Sequence, residues 1–166
     1  MATLAQRAHM KRVMDFLYAH RAQLDYPPGD QRTNRDAVSW SLTEQQAEHV
    51  LENGGRMQLD CSETCPWVLK CAGCWHWSQP GYTGSHLQLL PVYLNAKGAG
   101  VGALVVFGEG TGHHEAMVYT PDPKGGNPLL QSHGRPGMDR VRLRDLAASQ
   151  AASGHPGVRL LSIAHL

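Results

Sequence analysis

The sequence predicts an α+β fold in which helices come first and an antiparallel β-meander follows. Three observations carry this. Helix-spaced apolar residues are confined to the first half of the chain, and short apolar runs between Gly-rich turns fill the second. The two kinds of segment also do not alternate, as a parallel α/β sheet would require. The 166 residues suit one domain, 1–166, with a helical N-terminal part, 1–56, and a second part, 57–166, holding one further helix and the sheet.

The elements follow in order. Residues 2–24 read as a helix because Leu4, Ala8, Val13, Phe16, Leu17 and Leu24 recur at near-helical spacing. Tyr26-Pro27-Pro28-Gly29-Asp30 ends it, and residues 26–40 read as irregular. Ser41, with Glu44 in a capping-box pattern, and Thr43 compete to cap a short helix running to about Glu52, which Asn53-Gly54-Gly55 stops. A helix then starts after Asp60, with Pro66 near its first turn, where a missing N–H costs least, and Gly73 at its end. Residues 74–86, with Trp75, Trp77, Pro80, Gly81 and Gly84, read as a long loop. Three strands are expected at 102–108, 114–119 and 128–133, then a short helix within 141–153 and a last strand at 158–164.

Composition narrows the function classes. The hydrophobic fraction is 42% and the charged fraction 17%, which fits a folded chain, not a disordered one. The net charge of +1 gives no global attraction to nucleic acid or to an acidic membrane. No run of about 18 apolar residues predicts a membrane span. The N-terminal segment, 1–12, lacks the apolar core and cleavage site of a secretory signal.

All four cysteines, Cys61, Cys65, Cys71 and Cys74, fall within 14 residues. A disulfide framework would spread them, so the cluster points to one local site or to one special thiol with buried neighbours. Cys61 has the address of a nucleophile. It follows Asp60 at a helix start, where free N–H groups favour a thiolate and can hold a developing oxyanion. The base would be His113 or His114 at the start of a strand, and His133 on the next strand would orient it. Strand alternation puts His113 and His114 on opposite faces, so only one can face Cys61. Trp75 reads either as loop packing or as a wall for substrate.

Zinc competes with this reading. The cysteine spacings are three, five and two intervening residues, and only Cys71-Ala-Gly-Cys74 has a good ligand spacing. A catalytic zinc on His113, His114 and His133 would lack the usual helical H-E-x-x-H arrangement.

Four segments then stand out in order. They are Asp60-Cys61-Ser62, Gly81-Tyr82-Thr83-Gly84, His114-Glu115-Ala116-Met117-Val118 and Pro128-Leu129-Leu130-Gln131-Ser132-His133-Gly134. With the strand Gly102–Phe107 they resemble NlpC-type peptidoglycan peptidases, a papain-like superfamily. The nearest likeness is to the N-terminal peptidase domains of endolysins from phages of actinobacteria. The likeness covers about residues 57–135. It implies a papain-like fold, Cys61 as nucleophile, His114 as general base, His133 as its orienting partner, and Asp60 and Ser62 in stem-peptide binding. It also implies a monomeric cysteine peptidase or amidase that needs no metal or organic cofactor. Such an enzyme is made in the host cytoplasm and reaches the cell wall after release. A D-glutamyl–diaminopimelate or neighbouring stem bond would be the target. Three positions depart from the pattern: Glu63 where Gly is usual, Ala103 where Asp is usual, and Glu115 where Val is common. Glu63 is therefore expected beside the substrate cleft, as is His113. Two other classes remain at this level, a zinc-stabilised binding module without hydrolytic activity and a virion-associated structural domain.

Overall fold

Thr3 opens the first helix. Its hydroxyl accepts from the Gln6 backbone N–H, and the Gln6 side chain answers to the Thr3 N–H, closing a capping box over α1, Leu4–Ala19. The computed structural model describes residues 2–27, 37–93, 95–135 and 137–163. Residues 28–36 of the stretch expected to be irregular, 26–40, and the last residue of the strand expected to reach Ala164, lie outside them.

The buried stripe of α1 is Met10, Val13, Met14 and Leu17, at i, i+3, i+4 and i+7. Leu4, expected on that stripe, is exposed. It stands in the first turn, on the side away from the core. The helix also stops earlier than expected. His20 caps it, a 3₁₀ turn covers Arg21–Gln23, and Leu24–Asp25 forms β1. The reason is a long-range pairing: β1 runs parallel to β2, Met57–Gln58, with Leu24 opposite Met57 and Asp25 opposite Gln58. Leu59 N–H continues the ladder to the Asp25 carbonyl at 3.2 Å, and Arg56 grips the Asp25 carboxylate at 2.6 Å.

Between these strands lie α2, Ala37–Ser41, and α3, Glu44–Glu52. Thr43 wins the competition to cap α3, through a box with Gln46; Ser41 belongs to α2. The fourth helix, α4, Cys61–Cys71, is buried along most of its length, from Cys61 to Leu69. Pro66 sits six residues in, deeper than expected. Gly73, at φ +67°, follows the C-cap in the left-handed region, as its sequence position suggested. The loop expected at 74–86 is shorter, because α5, Thr83–Leu89, starts inside it and buries His86. Two glycines at 81 and 84 hid that helix from a propensity reading.

The sheet has order β6-β5-β4-β3-β7 and is antiparallel throughout. Its strands are β3, Leu104–Phe107; β4, His114–Thr120; β5, Leu129–Gly134; β6, Gly137–Arg142; and β7, Val158–Leu161. A helix α6, Leu143–Ala152, joins the last two. The architecture is therefore α+β, with helices gathered first and the antiparallel sheet after them. β6 was not expected; its polar run Asp139-Arg140-Val141-Arg142 suits an edge strand, where charge discourages further pairing.

Each sheet face builds its own core. Leu104, Val106 and Met117 pack with α1 and α4, and Ala103, Val105, Phe107, Ala116, Val118 and Leu130 pack with Leu143 of α6. No helix among the described residues is long and apolar enough to cross a membrane.

Candidate active site

Asp60 fixes the start of α4. Its carboxylate accepts the Glu63 N–H at 2.9 Å and the Ser62 hydroxyl at 2.8 Å, and the Asp60 N–H donates in return to the Glu63 carboxylate at 2.9 Å. This capping box corrects the expectation for Glu63. The side chain is buried and turned back onto the helix terminus, away from the cleft. The departure from glycine at this position is a helix cap, a device that contributes about 1 kcal/mol.

Cys61 is the first residue of α4, so its backbone N–H has no partner within the helix. Its Sγ accepts from the Tyr26 hydroxyl at 3.3 Å and faces the backbone N–H of Glu115 on β4. Cys61 meets β4 at Glu115, one residue from His114 and next to the last β4–β5 pair, Ala116 with Ser132.

His114 is held from the other side. Its Nε2 lies 2.7 Å from Ser132 Oγ, and its ring stacks at 28° on Phe107, its cross-strand partner. Ser132 thereby takes the orienting place expected for His133. The correction follows from alternation: Ser132 and His114 share one face of the sheet, while His133 shares the opposite face with Glu115 and Gln131. His133 bonds through Nδ1 to Thr64 Oγ1 of α4 at 3.1 Å, and the ring of Tyr26 stands edge-on to it at 5.4 Å. It supports the helix and the tyrosine that surround Cys61, not the His114 ring.

Two adjoining cavities meet here. One, about 250 Å³, is lined by Asp60, Cys61, Ser62, Tyr82, Thr83 and His113 among others. The larger, about 660 Å³, is lined by His114, Ser132, Arg135, Asp139, Asp145 and Gln150 among others. Tyr26 and His113 line both. His113 is thus at the site, exposed, with its ring stacked 3.4 Å from that of His155. Trp75 is not among the lining of either cavity. It is buried, donates to the Gln79 carbonyl at 3.1 Å and packs against Trp77 and His86, which favours the loop-packing reading.

Burial sets the protonation states. It pushes the Cys61 thiol up to about 12, helped by the Asp60 charge and opposed by the Tyr26 hydrogen bond. Burial pushes His114 down to about 4, with His113 and His133 adding to the effect and Asp60 opposing it. His133 also falls to about 4 through burial. The resting pair is therefore a neutral thiol and a neutral imidazole. The ring has a lone pair for a proton but is a weak base, and the thiol is a weak acid, so neither ionises the other at rest.

All four cysteines are free thiols, and among the described residues no three His, Cys, Asp or Glu side chains form a group able to hold a metal ion. The thiols of Cys61 and Cys65 are turned toward the sheet, and Cys74 donates to the Ala72 carbonyl at 3.7 Å. Sequence reasoning missed Tyr26 and Ser132. In the sequence Tyr26 reads as part of a helix stop; its role follows from the β1–β2 pairing, which sets it beside the strand that leads into Asp60. Ser132 was one residue from the expected partner, and the strand parity of 114, 116 and 132 was the signal. Comparisons with protein-family models, with curated proteins and with solved structures give no match to this chain.

Proposed function

We propose that this protein is a papain-like cysteine hydrolase of the NlpC type that cleaves the peptide stem of bacterial peptidoglycan. The observation that carries the reading is the position of Cys61. It is the first residue of a capped, buried helix, its sulfur accepts from Tyr26, and it abuts β4 beside a histidine oriented by Ser132.

The mechanism follows from those contacts. Substrate enters the cavity lined by Asp60, Cys61, Ser62 and His113. As Sγ attacks the peptide carbonyl, the thiol proton passes to His114. Transfer and attack run together, because a buried thiolate formed first would lack stabilisation. The Cys61 N–H and the Tyr26 hydroxyl donate to the developing oxyanion. His114 then returns its proton to the leaving amine, and water releases the thioester. Ser132 keeps the ring in place through both steps. The reaction uses no metal or organic cofactor. The enzyme acts as a monomer, made in a host cytoplasm and meeting the wall at lysis, as an endolysin catalytic domain.

The test is clearing of purified peptidoglycan by the wild type and by Cys61→Ala. Loss of at least about 10⁴-fold in rate is expected for removal of a nucleophile. Undiminished clearing by the variant would sink the assignment. Mass spectrometry of the released muropeptides names the bond.

A further inference from the structure

Gly81-Tyr82-Thr83-Gly84 stands out in the sequence, and the mechanism above gives it no role. The structure accounts for both glycines. Gly81 has φ +79°, and a Cβ there would lie 2.7 Å from Ser85 Oγ and 2.8 Å from His86 Nε2. Gly84 lies against the Tyr82 ring: a Cβ would stand 2.5 Å from Tyr82 Cε2 and 3.1 Å from Thr111 Cβ. Ser85 clamps the tyrosine backbone. The Tyr82 N–H donates to Ser85 Oγ at 2.9 Å, and that hydroxyl donates to the Tyr82 carbonyl at 2.8 Å. The approach to the turn is held as closely. Three buried rings donate to three successive carbonyls: Trp40 to Ser78 at 3.1 Å, Trp75 to Gln79 at 3.1 Å and His86 to Pro80 at 2.7 Å. The Pro80 carbonyl only accepts, so His86 Nε2 carries the hydrogen of that bond. Behind it, His86 Nδ1 lies 2.7 Å from Glu115 Oε2 of β4. The ring that this braced turn presents is half exposed, and it lines the cavity of about 250 Å³ that holds Cys61.

We propose that Tyr82 is a substrate-binding residue whose ring packs against the acyl half of the cleaved peptide, the half that stays on Cys61 after the amine leaves. This rests on the reading of Cys61 as the nucleophile. The choice of half follows from which cavity holds which reacting group. Cys61 lines the smaller cavity and His114 the larger. The carbonyl carbon that Sγ attacks belongs to the acyl half. The nitrogen that His114 protonates belongs to the departing half. Tyr82 shares the smaller cavity, so its ring meets the acyl half. Asp60, Ser62, Thr83 and Thr111 make much of the remaining lining polar. Tyr82 therefore supplies an apolar face, with a polar tip, in a cavity otherwise fitted to the polar groups of a peptide. The two glycines are the means: one lets the chain turn tightly against His86, and the other leaves room for the ring.

The test is hydrolysis of soluble muropeptides, cut from the wall by a muramidase, by wild type, Tyr82→Ala and Gly84→Ala. Tyr82→Ala is expected to raise KM about tenfold and to leave kcat within about twofold, the pattern of a contact made equally in the ground and transition states. Gly84→Ala keeps the tyrosine but displaces its ring. Alanine is the better helix former, so thermal stability is expected to hold while KM rises as in Tyr82→Ala. The double variant is expected to show the KM of Tyr82→Ala alone, because both changes remove the same contact. The two fragments that wild type releases, purified and added back as inhibitors, identify the half. The acyl fragment should inhibit Tyr82→Ala about tenfold less well than wild type, and the amine fragment should inhibit both alike. An unchanged KM in Tyr82→Ala, or weakened inhibition by the amine fragment instead, overturns the proposal. If the ring served only to cover Gly84, Tyr82→Ala would lose stability at constant KM, which overturns it equally. A wild type that releases no fragments overturns the hydrolase reading and this proposal with it. The proposal fails alone only where wild type cuts, so the two failures are distinguishable.

Discussion

The two faces of the sheet are built from different materials. The face under α6 is apolar through Ala103, Val105, Phe107, Ala116, Val118 and Leu130, and turns polar only at its end, where His114 meets Ser132. The face under α4 carries buried Glu115, Gln131 and His133 among Leu104, Val106 and Met117. Each of those polar groups costs free energy to bury unless it is bonded. Gln131 bonds the Met14 carbonyl at 2.9 Å, His133 bonds Thr64 and Glu115 bonds His86. A core needed only for stability would look like the first face. The second spends stability on buried polar groups, of which Glu115 meets Cys61 and His133 meets the helix and the tyrosine around it, and sites of chemistry depart from plain packing in this way.

Three substitutions or conditions probe that contrast, in decreasing order of effect. Phe107→Ala should destabilise the fold by about 3–5 kcal/mol, since it empties a fully buried position of the apolar face. Chemical denaturation measures it, and a loss under about 1 kcal/mol would mean that face is not a tight core. Acid should act on the two buried histidines, His133 on the polar face and His114 at the polar end of the other. His133, with His114, is held neutral down to about pH 4, whereas an unfolded histidine titrates near 6.5. The unfolded chain therefore binds more protons between those values, so stability is intact above pH 6.5 and falls as pH drops toward 4, by roughly 3 kcal/mol per histidine. Denaturation midpoints across pH 4–7 report it; His133→Gln should remove about half of the slope. Ser132→Ala has the smallest expected effect. It should lower kcat about 10- to 100-fold by freeing the His114 ring, with stability changed by about 1 kcal/mol. Equal kcat in variant and wild type would show that Ser132 does not orient the base.

The sequence was most legible where one signal sufficed. The apolar run at 104–107, the alternating strands that follow it and the Asp60 start of α4 all fell within a residue or two of their expected places. It was least legible where a distant partner decides. A two-residue strand such as β1 has no periodicity of its own, and it exists because Met57 and Gln58 lie beside it. The glycines at 81 and 84 mask α5, and nothing local to Glu63 marks it as the partner of the Asp60 N–H. At the site, residue types were readable and pairings were not. Cys61, His114 and His133 stand out in the chain, but which of Ser132 and His133 reaches the His114 ring depends on a strand parity that a one-residue difference reverses.

The β1–β2 ladder separates what the chain must keep from what it is free to change. Tyr26 directly follows β1, and Asp60-Cys61 follow β2 after Leu59. The Asp25–Arg56 grip and the Leu59–Asp25 hydrogen bond lock those two strand ends together. The hydroxyl donor and the sulfur it serves are 35 positions apart in sequence but are referenced to the same short ladder. Their spacing is set locally, like two hands on one ruler. The exposed side chains of α3, such as Gln45 and Glu52, are thus where composition can drift without retuning the thiol, while Trp40, Ala47 and Leu51 stay tied to the core.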